Sequence, residues 1–475
     1  MTYETVVGLE VHVELSTKTK IFCGCANEFG GEPNTHACPV CTGMPGVLPV
    51  LNKRVVEYAV KAGLALNCEI ANFSKMDRKG YYYPDLPKAY QISQFDLPIC
   101  KNGYITIHTN GVEKKIRILR IHMEEDAGKL LHEGSLGSKA DYNRCGVPLI
   151  EIVTEPDIRS SEEARDFLDI LKATMDYIGV SDVKMQEGSL RCDVNVSVRP
   201  QGSETLGTRC EMKNVNSFSA ACKAIDYEAA RQIDLIEDGD KVIQQTRRWD
   251  DDKGKTFAMR GKEEAHDYRY FPDPDLVPIV LTNTEIKAFK DALPELPAAK
   301  RARYVSELGL TEYDAGVLTN SKYIAEYFET ALKAYDQPKK LANWVMGDLL
   351  RLLKDAGLLP EEMKSDPALM VEALKLVDAG VVNVTVGKAV FEEAFKTGKK
   401  PADIVEEKGL KQISDTGELE AMIQKLIADN PKPVADYKSG NAKALTFFVG
   451  QVMKATQVKA NPQVFNEIVL KEIEK

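Results

Sequence analysis

The first part of the chain contains segments in which apolar and polar residues alternate, a period that is typical of β-strands. Three of them lie at residues 7–15, 115–118 and 190–198. Apolar residues at helical spacing predict helices over 53–66, 161–178 and 219–237. Asn52 and Ser160 precede the first two and are suitable N-caps. Because strands outnumber the helices that could connect them in parallel, the pattern favours an α+β fold over a doubly wound sheet.

The pattern changes at residues 293–297, where two prolines interrupt the chain. Beyond them nearly all apolar spacings are helical, and a second boundary falls near residues 397–401. The sequence therefore predicts three domains. They are a mixed α and β domain over 1–292, a helical domain over 293–406 and a small helical domain over 407–475.

Composition narrows the class of protein. The chain has 475 residues, 44% hydrophobic and 28% charged, which excludes wholesale disorder. No apolar run approaches the ~18 residues of a membrane helix, and residues 1–5 do not resemble a signal peptide, so we expect a cytoplasmic protein without a membrane partner. The net charge is −10, so any RNA binding requires a local basic patch.

The first predicted strand offers candidate chemistry. Its apolar face carries Val7, Leu9, Val11, Val13 and Leu15, and its other face carries Gly8, Glu10, His12 and Glu14. A histidine between carboxylates is a ligand set for a hard cation or for zinc. A solvated outer face explains the same pattern equally well.

Further acidic groups occur at 122–129, at Glu151 and in the strand 190–198. Glu151 is embedded in an apolar run, so if it is buried it needs lysine, arginine or a metal as a partner. Arg191 and Asp193 share the polar face of their strand, which suits phosphate and metal but also simple exposure. The cluster at 122–129 is, taken alone, more typical of a surface loop.

Cysteine spacing predicts a metal site. Ten cysteines in a chain without an export signal favour metal ligation or burial over disulfides. The pair Cys23 and Cys25 is followed after twelve residues by Cys38 and Cys41. Two close pairs around a loop suit tetrahedral zinc, with buried free thiols as the alternative.

The chain also contains two tyrosine-rich loops and lacks several common catalytic motifs. Lys79 and Lys88 lie in the first loop and Arg269 in the second, where aromatic and cationic groups could clamp a nucleotide or simply pack. A Walker A motif is absent because Trp249 occupies the position of its first glycine. No glutaminase nucleophile signature is present, so use of glutamine nitrogen would require a partner subunit.

Five segments carry a resemblance to a known family. They are VGLEVHV (7–13), GYYYPDLPKAYQISQ (80–94), HMEEDAGK (122–129), NRCGVPLIEIV (143–153) and DYRYFPDPD (267–275). In this order they resemble the B subunit of the tRNA-dependent amidotransferase GatCAB, over essentially the whole chain. The resemblance implies a cradle-like catalytic domain followed by two all-helical domains.

The resemblance also implies a function. It implies a ligase that uses ATP and Mg²⁺ to phosphorylate the side-chain carboxylate of Glu-tRNA(Gln) or Asp-tRNA(Asn), and then amidates it with glutamine-derived ammonia. The implied partners are the A (amidase) and C subunits and the misacylated tRNA. The resemblance assigns Mg²⁺ to the family's metal positions, which are Glu10, His12, Glu125 and Glu151.

Other roles are ranked below these. Arg191 and Asp193 are further catalytic candidates, and Arg269 is a candidate for binding the nucleotide. Lys79 and Lys88 are candidates either for binding phosphate or for lining the ammonia path. Zinc at the four cysteines remains an inference from spacing, because only some family members carry them.

The tail is predicted to bind tRNA. Residues 438–459 contain Lys438, Lys443, Lys454 and Lys459 and no acid, which provides the required basic patch. Two rival functions remain at this point: a zinc-knuckle RNA-binding protein without catalysis, and a degenerate subunit that acts only as a scaffold.

Overall fold

The computed structural model of the chain describes residues 2–132, 137–259, 268–411, 416–431, 433–434 and 468–471. The chain divides into two compact units, Met1–Lys300 and Arg301–Lys475. The lysines of 438–459 lie outside the described residues, as does most of the predicted third domain. A separate domain beginning at residue 407 therefore stays a prediction.

The strands of the first unit are numbered in chain order. They are β1 Tyr3–Glu14, β2 Glu69–Ile70, β3 Phe73–Ser74, β4 Asp77–Gly80, β5 Tyr90–Ser93, β6 Cys100–Thr109, β7 Val112–Glu125, β8 Lys129–Leu131, β9 Lys139–Asp141, β10 Pro148–Thr154, β11 Leu190–Pro200, β12 Cys210–Lys213, β13 Gln245–Asp250, β14 Lys255–Ala258, β15 Phe271–Pro272 and β16 Ile279–Val280. The helices are α1 Lys53–Ala65, α2 Ser161–Tyr177, α3 Phe218–Glu237 and α4 Asn283–Asp291.

Nine of these strands form one sheet in the order β14-β13-β12-β11-β1-β10-β7-β6-β2. Its neighbours are antiparallel except for β12 and β13, which are parallel. β1 therefore lies inside the sheet between β11 and β10. This topology confirms the predicted α+β class.

The alternation in β1 gives the sheet a buried face. The apolar residues predicted for that face are at most 1% exposed: Val7, Leu9, Val11, Val13 and Leu15. They join a core to which α1, α2 and α3 contribute buried apolar residues. At ~25 cal/mol per Å² of apolar surface, this burial is the main driving force for the unit. The opposite face is left to polar side chains.

The predicted helix starts are confirmed. The side chain of Asn52 accepts a hydrogen bond from the Arg54 N–H at the start of α1. The Ser160 side chain does the same for Glu163 in α2. Both caps satisfy backbone donors that have no partner within the helix.

Replacement of Ser160 by alanine should lower the free energy of unfolding by about 1 kcal/mol, because the Glu163 N–H loses its acceptor. Chemical denaturation followed by circular dichroism measures the change. Ser16→Ala, at an exposed position whose described contact is through its backbone, is the control. An equal loss in both variants would contradict the capping role.

The helices that follow run from α5 into the second unit. They are α5 Pro297–Ser306, α6 Glu312–Thr319, α7 Lys322–Leu332, α8 Pro338–Trp344, a π-helical turn Val345–Leu349, α9 Leu350–Ala356, a 3₁₀ turn Pro360–Glu362, α10 Pro367–Asp378, α11 Val384–Thr397, α12 Pro401–Glu407 and α13 Thr416–Asp429. The second unit has its own apolar core, which includes Phe328, Leu349 and Phe391. In the part of the chain that the structure describes, no helix combines the length and apolar character needed to cross a membrane.

Candidate functional site

Strand register assembles polar side chains on the face of the sheet opposite the core. β1 pairs with β10 so that His12 lies opposite Glu151, and β10 pairs with β7 so that Glu151 lies opposite His122. On the other side of β1, His12 lies opposite Arg191 of β11. Directly opposed residues on neighbouring strands point to the same face. Four strands thus contribute to one row of polar groups.

Three side chains of this face converge closely. His12 Nε2 lies 3.5 Å from Glu124 Oε1 and 3.7 Å from Glu151 Oε2. One potential ligand atom from each residue lies within 4.8 Å of the other two. The His12 side chain is 22% exposed, so the cluster is accessible from solvent. One imidazole and two carboxylates at this spacing can hold a divalent cation.

His122 is the buried partner of both carboxylates. Its Nε2 lies 3.1 Å from Glu151 Oε2 and 3.7 Å from Glu124 Oε2. Burial opposes a charge on the imidazole, but the two carboxylates outweigh it and raise the pKa of His122 to about 9. Burial likewise opposes ionisation of Glu151, while His122 and His12 hold the pKa of its carboxyl well below the usual range. The partner required by Glu151 is therefore histidine, not lysine or arginine.

The four predicted Mg²⁺ ligands do not all meet. His12 and Glu151 do, and Glu10 is adjacent: burial and then repulsion from Glu151 raise the pKa of Glu10. Asn195 Nδ2 donates to Glu10 Oε1 at 3.0 Å. Glu125 lies apart because neighbouring residues of a strand point to opposite faces. Its position in the cluster is taken by Glu124.

Glu125 has its own set of contacts. Lys88 forms an ion pair with its carboxylate, and the Ile92 N–H donates to Glu125 Oε1 at 2.8 Å. The side chains of Lys88 and Glu125 are only 9% and 4% exposed. The metal role that the family resemblance assigned to Glu125 therefore stays a prediction, while its described contacts are with Lys88 and Ile92.

Arg191 and Asp193, the further catalytic candidates, both form ion pairs. Arg191 donates to both Asp126 carboxylate oxygens, at 2.7 and 3.3 Å, and Arg144 Nε lies 3.4 Å from Asp126. Asp193, which lies opposite Glu10 in the sheet, accepts from Lys213 Nζ at 2.7 Å. Arg191 thus supports a buried acid at the end of the polar row.

The tyrosine-rich loops form aromatic contacts. Lys79 Nζ lies 4.7 Å from the centre of the Tyr268 ring. Tyr270 stacks on Phe95 with ring centres 4.4 Å apart. Burial, together with the charges on Glu124 and Glu151, raises the pKa of Tyr270. Arg269 is exposed and has a positive φ of 47°.

The four predicted cysteines come together. Cys23, Cys25, Cys38 and Cys41 place their sulfur atoms within 4.8 Å of one another, so they could hold a structural metal. A hydrogen bond from Cys23 lowers the pKa of Cys41 to about 4 despite burial, and the Cys38 N–H, whose nitrogen is 3.2 Å from Cys41 Sγ, acts in the same direction. Stabilised thiolate is the form that binds metal. All ten cysteines are free thiols.

A small cavity links the cysteine loop to the buried ion pair. Its volume is about 110 Å³, and Cys23, Cys41, Lys88 and Glu125 are among its lining residues. It lies on the Glu125 side of β7, whereas the carboxylate cluster lies on the Glu124 side.

Glu124, His122 and Asp126 are not among the residues predicted for the site, although all three lie in the segment 122–129. The alternation in β7 was a usable signal for Glu124, because residues 122 and 124 share one strand face. Asp126 follows the end of β7, so no such signal was available for it.

The fold and these clusters define an α+β protein whose described residues include a four-cysteine cluster and a histidine–carboxylate cluster that could each hold a metal ion. The family model described as "GatB/GatE catalytic domain" matches residues 5–287, and the one described as "GatB domain" matches residues 326–473. The chain belongs to the GatB/GatE family. The resemblance noted in the sequence is thereby confirmed.

Curated relatives align over the full length. A protein of Thermoanaerobacter sp. (strain X514) is 61% identical over 475 residues, which cover 100% of both chains. One of Caldicellulosiruptor bescii is 61% identical over 479 residues and one of Geotalea daltonii 55% over 478 residues, again with 100% of both chains covered. All three are named as the B subunit of an aspartyl/glutamyl-tRNA(Asn/Gln) amidotransferase.

Proposed function

We propose that this chain is the B subunit of a cytoplasmic amidotransferase that converts Glu-tRNA(Gln) and Asp-tRNA(Asn) into Gln-tRNA(Gln) and Asn-tRNA(Asn). The names of its full-length relatives support the substrates. The observation that carries the chemistry is the convergence of His12, Glu124 and Glu151 on the open face of the sheet. The enzyme class is that of ligases which form C–N bonds with glutamine as the amido donor.

The carboxylate cluster fits Mg²⁺ in charge and in donor chemistry. Glu124 and Glu151 supply hard oxygen donors, and His12 and the neighbouring Glu10 complete the set. When bound, the ion neutralises negative charge on the ATP phosphates. His122 holds Glu151 in place from the buried side.

The reaction has two chemical steps. First, an oxygen of the glutamyl or aspartyl side chain attacks the γ-phosphorus of ATP, so that an acyl phosphate forms and ADP leaves. Ammonia then attacks the acyl carbon, inorganic phosphate leaves, and the nitrogen loses a proton to give the amide. The first step is needed because a carboxylate is a poor acyl electrophile at neutral pH.

The loops around the cluster have separate roles in this proposal. Lys79 lies over the Tyr268 ring and Phe95 stacks on Tyr270, and we assign these groups and Arg269 to contacts with the nucleotide. Arg191 orients Asp126 beside the cluster, and Asp193 flanks Glu10.

Lys88 suits the ammonia path better than phosphate. It is paired with Glu125 on the other side of β7 and lines the cavity beside the cysteines. A buried polar pair next to a small cavity can pass ammonia while excluding bulk solvent. Zn²⁺ at the four cysteines would hold the wall of that cavity.

The proposed partners are the A and C subunits and the misacylated tRNA. The A subunit supplies ammonia from glutamine, because this sequence lacks a glutaminase nucleophile signature. The test is ATP-dependent amide formation on Glu-tRNA(Gln), with the A and C subunits added and then omitted. We expect amide from glutamine only with the partners, and ADP formation that depends on charged tRNA. tRNA binding without ATP turnover in the full assembly would favour the RNA-binding rival.

Removal of residues 407–475 should weaken tRNA binding and flatten its salt dependence, because the lysines of 438–459 no longer displace counterions. Filter binding at several salt concentrations measures both effects. Glutamine hydrolysis by the A subunit should persist in the same preparation. Loss of activation at saturating tRNA with unchanged binding would instead place catalytic groups in the tail.

A further inference from the structure

Lys20 is a fully buried lysine at the base of the cysteine loop. Its side chain is 0% exposed. Its Nζ lies 2.6 Å from the carbonyl oxygen of His36, 3.4 Å from that of Tyr142 and 3.7 Å from Cys41 Sγ. Its described partners are thus two carbonyls and a sulfur atom, and none of them is a carboxylate.

Such a position is costly for a cation. A buried ammonium group loses several kcal/mol of hydration free energy, and neutral carbonyls restore only part of it. Of the nearby groups that can carry negative charge, the Glu125 carboxylate is already paired with Lys88, whereas Cys41 of the cysteine cluster lies 3.7 Å from Lys20 Nζ. Four thiolates around one divalent cation carry an excess of negative charge, which is itself costly to bury. Each group therefore supplies the charge that the other lacks.

We propose that Lys20 is the charge-compensating cation of the cysteine site and increases its affinity for zinc. This inference rests on the proposal that the four cysteines bind zinc. Backbone hydrogen bonds fix the position of Lys20. The Lys20 N–H donates to the Cys25 carbonyl at 3.0 Å, and the N–H of the next residue, Ile21, donates to the Gly146 carbonyl at 2.9 Å. These bonds hold Lys20 so that its Nζ contacts the cysteine loop at His36 and Cys41.

The competing explanation is purely structural. Nζ joins the cysteine loop, through His36 O, to the segment after β9, through Tyr142 O. Asn143 makes a similar junction, because its side-chain oxygen accepts from the His36 N–H at 2.8 Å and its amide donates to Glu32 O. A structural lysine would affect folding equally with and without metal, whereas a compensating charge would not.

Zinc retention by the full-length chain tests the proposal. Lys20→Met keeps the aliphatic length, Lys20→Gln keeps polar donors without the charge, and the exposed Lys18→Met is the matched control. We expect wild type and Lys18→Met to hold about one equivalent of zinc. In competition with a coloured chelator, both Lys20 variants should bind zinc with an affinity about 10–100-fold lower than that of the wild type.

Thermal unfolding gives a second readout. A variant that weakens zinc must lose more stability when zinc is bound than after its removal. We therefore expect Lys20→Met to lower Tm more in zinc-loaded than in zinc-depleted protein. If Lys20→Met does not fold, the same comparison is made with Lys20→Gln.

Three results would overturn the proposal. Equal losses of Tm in both metal states would make Lys20 structural. If Lys20→Gln retained zinc as well as the wild type does, the role of Lys20 would be hydrogen bonding and not charge. Wild-type protein without zinc, and with four alkylatable thiols, would remove the zinc proposal together with this one, but would leave the chemistry at His12, Glu124 and Glu151 untouched.

Discussion

Replacement of Glu124 or Glu151 by glutamine should reduce tRNA-dependent ADP formation by at least about 100-fold. The amide keeps the shape of the side chain but removes the charge that would hold the proposed divalent cation beside His12. Substitution of a residue that only supports a metal ligand already lowers metal affinity or activity by about 10–100-fold, so substitution of a direct ligand should lower activity further. Single-turnover ADP formation with saturating Glu-tRNA(Gln) measures the activation step alone.

Glu125, which is adjacent to Glu124 in β7, provides a comparison variant for this experiment. Glu125→Gln should retain ADP formation and lower amide formation from glutamine, because its carboxylate faces Lys88 and the cavity. Glu113→Gln, with a side chain that is 67% exposed in β7, should match wild type in both assays. If Glu125→Gln abolished ADP formation and Glu124→Gln did not, the assignment of the two strand faces would be wrong.

The sequence predicts those parts of the fold that depend on local pattern. The alternation of β1, the helix spans and the caps Asn52 and Ser160 follow from periodicity and side-chain chemistry, and the structure confirms them. Sheet order is different in kind. β1 pairs with β10 and β11, whose residues lie far along the chain, and no local pattern encodes that choice.

The difference between local pattern and long-range strand pairing also explains which site residues could be predicted. The cysteine cluster was predictable because its four ligands lie within one short loop. The carboxylate cluster combines β1, β7 and β10, so the choice between Glu124 and Glu125 depends on which face of β7 joins that of β1. Lys20 was missed because lysines are usually exposed, and its burial depends on contacts with both the cysteine loop at His36 and the later segment at Tyr142.

Replacement of Lys88 by methionine should lower the free energy of unfolding by about 3–5 kcal/mol. The substitution leaves the Glu125 carboxylate, 4% exposed, without its cation. The Ile92 N–H remains as a donor but cannot supply a positive charge. Denaturant unfolding of the full-length chain, followed by circular dichroism, measures the loss.

A second substitution should reverse most of this loss. In Lys88→Met with Glu125→Gln the buried charge is gone, so the double variant should be clearly more stable than Lys88→Met alone. Lys101→Met, at an exposed position in β6, controls for loss of a surface charge. Additive losses in the double variant would mean that the two side chains stabilise the unit independently. In that case the pair would not be the coupled buried element beside the cavity, and its proposed role in ammonia passage would lose its structural basis.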